Sequence, residues 1–188
     1  MKLKMITTAL VATMSLSLLA EMKLGTVDMM LLVKNHPNYD SNKTLLTSTD
    51  KDYQKKLEKI KSEGDSLQEE GKKLMDQMRN PMLTAKAKAD VEKQLTDIQQ
   101  QLMGIEHRYR SEAMRCRQDL QDLEGRLLKT TTDDLRKRIA KYASAKGYDL
   151  IVDKNAAAYS VQTLDVTDEM LKELGVDPKE AKGRDEGK

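Results

Sequence analysis

The sequence has few of the residues that normally fill a compact core. Aromatic residues make up 3% of the 188 positions, and all of them are tyrosine, because the chain contains neither Phe nor Trp. Large aromatic side chains dominate the energetics of most cores, so a compact monomer of this length would be short of core material. Charged residues make up 34%, but they are spread at helical spacing, which favours helix over disorder. An elongated helical protein, or an oligomer that shares a small core, fits this composition.

Residue sets for catalysis and for metal binding are also missing. The single cysteine, Cys116, excludes an internal disulfide and a Cys-rich metal site. His36 and His107 are isolated, and we find no Gly-rich phosphate loop and no Ser/His/Asp set with a recognisable spacing. We therefore expect a protein that is not an enzyme and that uses no cofactor and no metal ion.

Residues 1–20 have the pattern of a secretory signal peptide. Lys2 and Lys4 form a basic start, and the residues from Met5 to Ala20 are apolar or small, without an acidic residue. The apolar run is short for a membrane-spanning helix and polar sequence follows it at once; a retained anchor is the alternative. Export would place Cys116 in an oxidising compartment. We predict that Cys116 is buried between the helices of a coiled coil and does not form a disulfide to another chain.

The stretch from about residue 52 to residue 146 organises the chain. Apolar residues recur in it at alternating steps of three and four, which predicts a coiled-coil seam. The segment from Asn80 to Thr84 contains Pro81 and interrupts the seam, with Thr84 as a helix N-cap. The pattern predicts a helical-hairpin arm over residues 48–146 with its tip near residues 80–84. Gly64 and Gly71 fall on the seam, either to let the helices approach or, as we favour, to make the arm bendable.

The segments on either side of the arm, residues 21–47 and 147–176, are predicted to form a base of short strands and short helices. We predict a strand near Val27 and, after it, a short helix that ends before Pro37. We also predict a strand, a two-residue turn and a second strand over residues 148–161. Gly147 is placed as the residue that ends the long return helix. Thr167 is predicted to cap a last short helix, and residues 177–188 to form a disordered tail.

Charge is unevenly divided between the arm and the base. Residues 51–147 contain 22 Lys and Arg and 17 Asp and Glu, a net charge of +5, whereas the chain after Ala20 has 31 of each and is neutral. A solvated face is the usual meaning of such charge. The alternative is attraction to acidic clients or to an anionic membrane or lipopolysaccharide surface. Without interleaved aromatic residues, we do not expect a nucleic-acid partner.

Candidate contact residues on the arm are methionines, whose flexible side chains suit adaptable contacts, and exposed cations. Most of the methionines could instead simply fill the seam. The candidates are Met75, Met78, Met82, Lys72, Lys73, Lys86, Lys88, Arg108 and Arg110.

Two C-terminal blocks resemble a known family. They are Gly-Tyr-Asp-Leu-Ile-Val-Asp-Lys-Asn-Ala-Ala-Ala-Tyr at 147–159 and Leu-Asp-Val-Thr-Asp-Glu-Met-Leu-Lys-Glu-Leu at 164–174. They are similar to the end of the OmpH-like (Skp) family of periplasmic chaperones, and the signal-like segment, first strand, Asn-His-Pro step and hairpin follow in the family's order. The resemblance implies a homotrimer in which short strands of three subunits form a small central β-barrel and the arms surround a cavity for unfolded outer-membrane proteins.

The fold class expected is mainly α with a small β part, in which a long antiparallel helical hairpin projects from a small barrel-like base formed by strands of several subunits. An isolated pair of short strands is marginal on its own, which agrees with a shared core. Candidates for that core are Val27, Leu150, Ile151, Val152 and Tyr159. The function expected is that of a periplasmic holdase that uses no nucleotide, and the alternative is a structural coiled-coil adaptor or spacer of the cell envelope.

Overall fold

A computed structural model describes residues 22–186 of the chain, and side chains through residue 183. The predicted signal segment at residues 1–20 lies outside the described residues. The elements in chain order are β1 (Leu24–Val27), α1 (Met29–Lys34), α2 (Tyr39–Met78), α3 (Ala85–Lys146), β2 (Leu150–Asp153), α4 (Thr167–Glu173) and α5 (Pro178–Glu186), with short 3-10 turns at Lys154–Ala156 and Gln162–Leu164.

The predicted helical hairpin is confirmed. α2 has 40 residues and α3 has 62, which corresponds to lengths of about 60 Å and about 93 Å. The hydroxyl of Thr84 accepts a hydrogen bond from the backbone N–H of Ala87, and Gly147 follows the last turn of α3 with a positive φ of 69°. α2 begins at Tyr39 and runs through residues 47–50 without a break, so the helix restart considered there does not occur.

The base contains two parallel strands instead of a strand hairpin. Leu24 of β1 lies opposite Leu150 of β2, and Val27 lies opposite Asp153. The second strand predicted at residues 156–161 is wrong: residues 154–156 form a 3-10 turn and residues 157–161 contain no strand. The reason lies in the backbone, because the chain returns to the other edge of β1, where the N–H of Val166 donates to the carbonyl of Thr26.

One hydrophobic core joins the elements of the base. Leu32 of α1, Leu135 of α3 and Met170 and Leu171 of α4 are completely buried in it. Burying one such side chain contributes about 1.5–3 kcal/mol. The core therefore packs about the last three turns of the return helix, from Leu135 onward, against the other elements of the base, and it anchors the arm there.

The start of α4 differs from the prediction. The helix begins at Thr167, but Val166 occupies the N-cap position and no side chain caps the helix. The hydroxyl of Thr167 is used elsewhere, because it accepts a hydrogen bond from the backbone N–H of Asp28 at 2.9 Å. Thr167 thus connects α4 to the end of β1 rather than closing its own helix.

The disordered tail predicted at residues 177–188 is wrong as far as Glu186, because α5 occupies Pro178–Glu186. Pro178 suits the first helical position, and Asp177 accepts a hydrogen bond from the backbone N–H of Lys179 at 2.8 Å. Ala181 is buried in the base core, and Lys182 pairs with Asp168 of α4 at 2.8 Å. Among the side chains of this helix that the structure describes, only Ala181 is buried, and the sequence therefore has no apolar stripe that would predict the helix.

Candidate functional site

The tip of the arm presents methionine to solvent. The side-chain oxygen of Asn80 accepts a hydrogen bond from the backbone N–H of Met82 at 3.0 Å and thereby shapes the turn. Met82 is 86% exposed and Met75 is 54% exposed. Met78 behaves differently, because it packs against the buried cluster of Leu74 and two α3 residues. The tip therefore offers two free thioether side chains, and the third methionine fills the seam as the alternative interpretation held.

The lysines near the tip are exposed. Lys72 forms a loose pair with Glu69 of the same helix at 3.7 Å. Lys73, Lys86 and Lys88 are exposed and form no ion pair within the part of the chain that the structure describes. Exposed charges of this kind contribute little to stability, so they remain available to a charged partner.

The two arginines predicted as contact residues are already engaged within the arm. Arg108 of α3 pairs with Glu63 of α2, and Arg110 pairs with Glu106 one turn earlier on its own helix. The first of these pairs links the two helices of the hairpin. Arg108 thus connects the two helices of the arm and also lies at its surface.

A second ion pair links the helices of the arm nearer to the base. Lys56 of α2 donates to Glu112 of α3, and this hydrogen bond lowers the pKa of the glutamate. Glu112 lies where the apolar seam pattern breaks, and its carboxylate pairs there with the ammonium group of Lys56. Cys116, one turn further, is buried as predicted, and its burial together with the nearby Glu112 charge raises the pKa of the thiol.

The two seam glycines let the helices of the arm approach each other. A Cβ built on Gly64 would lie 3.4 Å from the Cγ2 of Ile105, and one built on Gly71 would lie 3.6 Å from the Cγ2 of Ile98. These are ordinary van der Waals distances, so each position is closely packed and would also accept alanine. The geometry supports close approach, which is the alternative to the bendable arm that we favoured.

The residues predicted to form a shared core differ in their burial within one chain. Val27 is fully buried within its own chain, and Ile151 and Val152 are half-buried. Leu150 on β2 is 48% exposed and Tyr159 is 83% exposed. Among the described residues β1 is the only strand that pairs with β2, so one edge of β2 is open and has exposed apolar side chains beside it.

A groove of about 570 Å³ runs along this open side of the base. Its lining combines apolar and charged side chains. The apolar ones include Met29, Ile139, Tyr148, Leu150 and Ile151, and the charged ones are Arg136, Asp149 and Asp153. A hydrophobic groove beside an unpaired strand edge is a template for association with another chain.

The carboxylate of Asp165 connects the turn after β2 to the start of α4. It accepts hydrogen bonds from the backbone N–H and the hydroxyl of Thr167 and from Lys154 at 3.0 Å. Burial opposes ionisation of Asp165, but the bonds from Thr167 and Lys154 outweigh burial and lower its pKa. Sequence reasoning did not find this network, because its members lie in a turn and at a helix start without a periodic pattern.

His36 has a structural role where α1 meets α2. The backbone N–H of Asn38 donates to its Nδ1 at 3.2 Å, so the neutral ring carries its proton on Nε2, which lies 3.1 Å from Asp134 of α3. A hydrogen bond from Arg138 and a second from His36 lower the pKa of Asp134. Within residues 22–186 the structure contains no group of three or more His, Cys, Asp or Glu side chains that could hold a metal ion.

None of the helices in the described range is long and apolar enough to cross a membrane.

The comparisons with known proteins agree with this architecture. A search of curated proteins finds no match. Among protein families, the profile described as outer membrane protein (OmpH-like) matches residues 23–174, which is more than half of the chain. The match runs from the first strand through both helices of the arm to the end of α4. The chain therefore belongs to the OmpH-like family.

Proposed function

We propose that the protein is a periplasmic holdase chaperone that binds unfolded outer-membrane proteins between its helical arms and prevents their aggregation in transit. The observation that carries the proposal is a long, exposed arm whose return helix ends in the packed core of the base, within a family of the chaperone type. The base core fixes the end of α3, and the tip of the arm has exposed methionines and lysines that form no ion pair with other described residues.

The chemistry of the arm suits weak binding of many different chains. An unfolded barrel protein exposes alternating apolar and polar side chains. Thioether side chains such as those of Met75 and Met82 adapt to differently shaped apolar groups, and exposed lysines attract acidic segments. Binding of this kind fixes no single geometry, and release requires no chemistry, because the membrane-inserted fold of the client is the more stable state.

A homotrimer is part of the proposal. The free edge of β2, the groove beside it and the exposed Leu150 and Tyr159 are the features that association would cover. Three copies would join their short strands and close the open edges, and the three arms would then surround one cavity. The predicted signal peptide would deliver the chain to the periplasm, where Cys116 stays protected by burial.

The test is suppression of aggregation. A urea-denatured outer-membrane barrel protein is diluted into buffer with stoichiometric amounts of the protein, and light scattering is recorded. We expect scattering to fall to near the level of the buffer blank, with no nucleotide added. Unchanged scattering would contradict the holdase function, and capture of one folded envelope protein in fixed ratio would instead support the adaptor alternative.

A further inference from the structure

One groove on the arm combines a bare backbone with exposed apolar side chains. It has a volume of about 460 Å³, and Leu102, Met103 and Tyr109 of α3 line it opposite Gly64 of α2. Gly64 is buried close to Ile105 and contributes only backbone atoms to the lining of the groove. Met103 is 63% exposed and Tyr109 is 38% exposed. We name this feature the Gly64 groove.

We propose that the Gly64 groove binds aromatic side chains of an extended polypeptide. This inference rests on the proposed function, since girdles of aromatic residues flank the membrane-spanning strands of outer-membrane barrels. The thioether of Met103 suits contact with the edge of an aromatic ring, and the ring of Tyr109 suits an offset or edge-to-face partner. Lys61, which also lines the groove, places an ammonium group where it can lie over such a ring.

The charges around the groove agree with an aromatic occupant rather than an ionic one. Lys61 and Asp65 lie on the same rim with opposite charges, and Glu106 is already paired with Arg110. The rim therefore has no excess of one sign to attract a strongly charged group. A ring with a negative face and a positive edge can use both signs at once.

The size of the groove also excludes a folded partner as its occupant. A stable interface between folded proteins buries about 800 Å² on each side, whereas this groove spans about two turns of each helix. It accommodates one or two large side chains. A second groove lies on the other side of Ile105, but the Glu63–Arg108 ion pair lies in its wall, so it lacks the apolar character of the first.

The absence of Trp from the chain provides a clean assay. A ten-residue strand-like peptide with alternating apolar and polar residues and one terminal Trp would be the only indole emitter in a titration with the intact protein. We expect a blue shift of its emission on binding. The same peptide with Leu instead of Trp, used as a competitor, should displace it more weakly.

The substitution Met103→Ser tests the groove itself. We expect it to weaken binding of the Trp peptide by at least about threefold, which lies within the roughly two- to twelvefold range for loss of a sulfur–aromatic contact. Met114→Ser is the matched control, because Met114 is even more exposed on the same helix and does not line the groove. The affinity of the M114S variant for the Trp peptide should stay within about twofold of that of the unaltered protein.

The outcomes separate this inference from the proposed function. The groove assignment alone would be overturned if M103S, M114S and the unaltered protein bound the Trp peptide with equal affinity. This outcome requires that the samples still suppress aggregation of the barrel protein. Displacement by the Leu peptide as strong as self-displacement by the Trp peptide would do the same. Failure of the unaltered protein to suppress aggregation would overturn the proposed function, and the groove assignment with it.

Discussion

Lys56 on α2 and Glu112 on α3 form an ion pair across the two helices of the arm, and the same Oε1 atom of Glu112 lies 3.8 Å from the thiol of Cys116. The pair and the thiol thus form one unit at the middle of the arm. Burial and the Glu112 charge both raise the pKa of Cys116. A lone cysteine that is buried and has a raised pKa is a poor nucleophile, which suits an oxidising compartment.

The first prediction concerns the reactivity of this thiol. Glu112→Gln removes the negative charge that helps to raise the pKa of Cys116, so the thiolate fraction and the rate of alkylation should increase by at least about twofold. The rate is measured with a thiol reagent at pH 7–8. Glu63→Gln breaks the other inter-helix pair and is the matched control, which should leave the rate near that of the unaltered protein. An E112Q rate at or below the unaltered rate would contradict the assignment.

The second prediction concerns the seam glycines. Gly64→Ala and Gly71→Ala should each increase the free energy of unfolding by about 0.5–1 kcal/mol, because the added Cβ fits at van der Waals distance and alanine loses less conformational freedom in a helix. Urea denaturation followed by circular dichroism measures the effect. Gly147→Ala should destabilise instead, because its φ of 69° disfavours a side chain. Destabilisation by either seam alanine would show that the helices have no room there.

The third prediction concerns the acid stability of the base. The pKa of Asp165 is lowered in the folded chain, so its contribution is present above the unfolded value of about 3.9 and is lost as the pH falls through the lower folded value. Asp165→Asn should therefore cost about 1 kcal/mol near pH 7, a figure that allows for partial exposure. Thermal unfolding of both proteins should show a gap in Tm at pH 7 that narrows as the pH falls below the unfolded value and through the lower folded value. A gap that is constant with pH would contradict the role of the carboxylate.

The fourth prediction concerns assembly. The unaltered protein should have three times the mass of one chain in sedimentation or native mass spectrometry. Leu150→Lys should shift it toward the monomer, because it places a charge on the open edge of β2. Met82→Lys at the tip of the arm, a substitution of the same type at an exposed position, should leave the mass unchanged. A strictly monomeric unaltered protein would contradict the shared core.

The arm could be predicted from the sequence because its physical signal is long and periodic. The steps of three and four, the Pro81 turn and the Thr84 cap each point to the same hairpin, and consistency between such signals is what makes a prediction reliable. The register also follows from the turn. Gly64 faces Ile105 and Gly71 faces Ile98, as antiparallel helices joined by a fixed turn require.

The base was harder to predict because its contacts are few and distant in sequence. The return of the chain to β1 depends on one backbone hydrogen bond from Val166, and α5 depends on the burial of Ala181. Neither feature has a period that a sequence window can detect. The engagement of Arg108 with Glu63 was missed for a related reason, since composition shows that a cation is present but not which carboxylate the fold brings to it.

The central claim is that the arm holds the client while the base only assembles the protein. It is tested most directly by a protein with a shortened arm, in which a short Gly-containing turn joins residues 65 and 104, close to the contact of Gly64 with Ile105. The two inter-helix ion pairs and the base core remain in this variant. Light scattering of a diluted barrel protein is then compared at equal concentrations of the full-length and shortened proteins. The account predicts an unchanged number of subunits with loss of aggregation suppression, and full suppression by the shortened protein would contradict it.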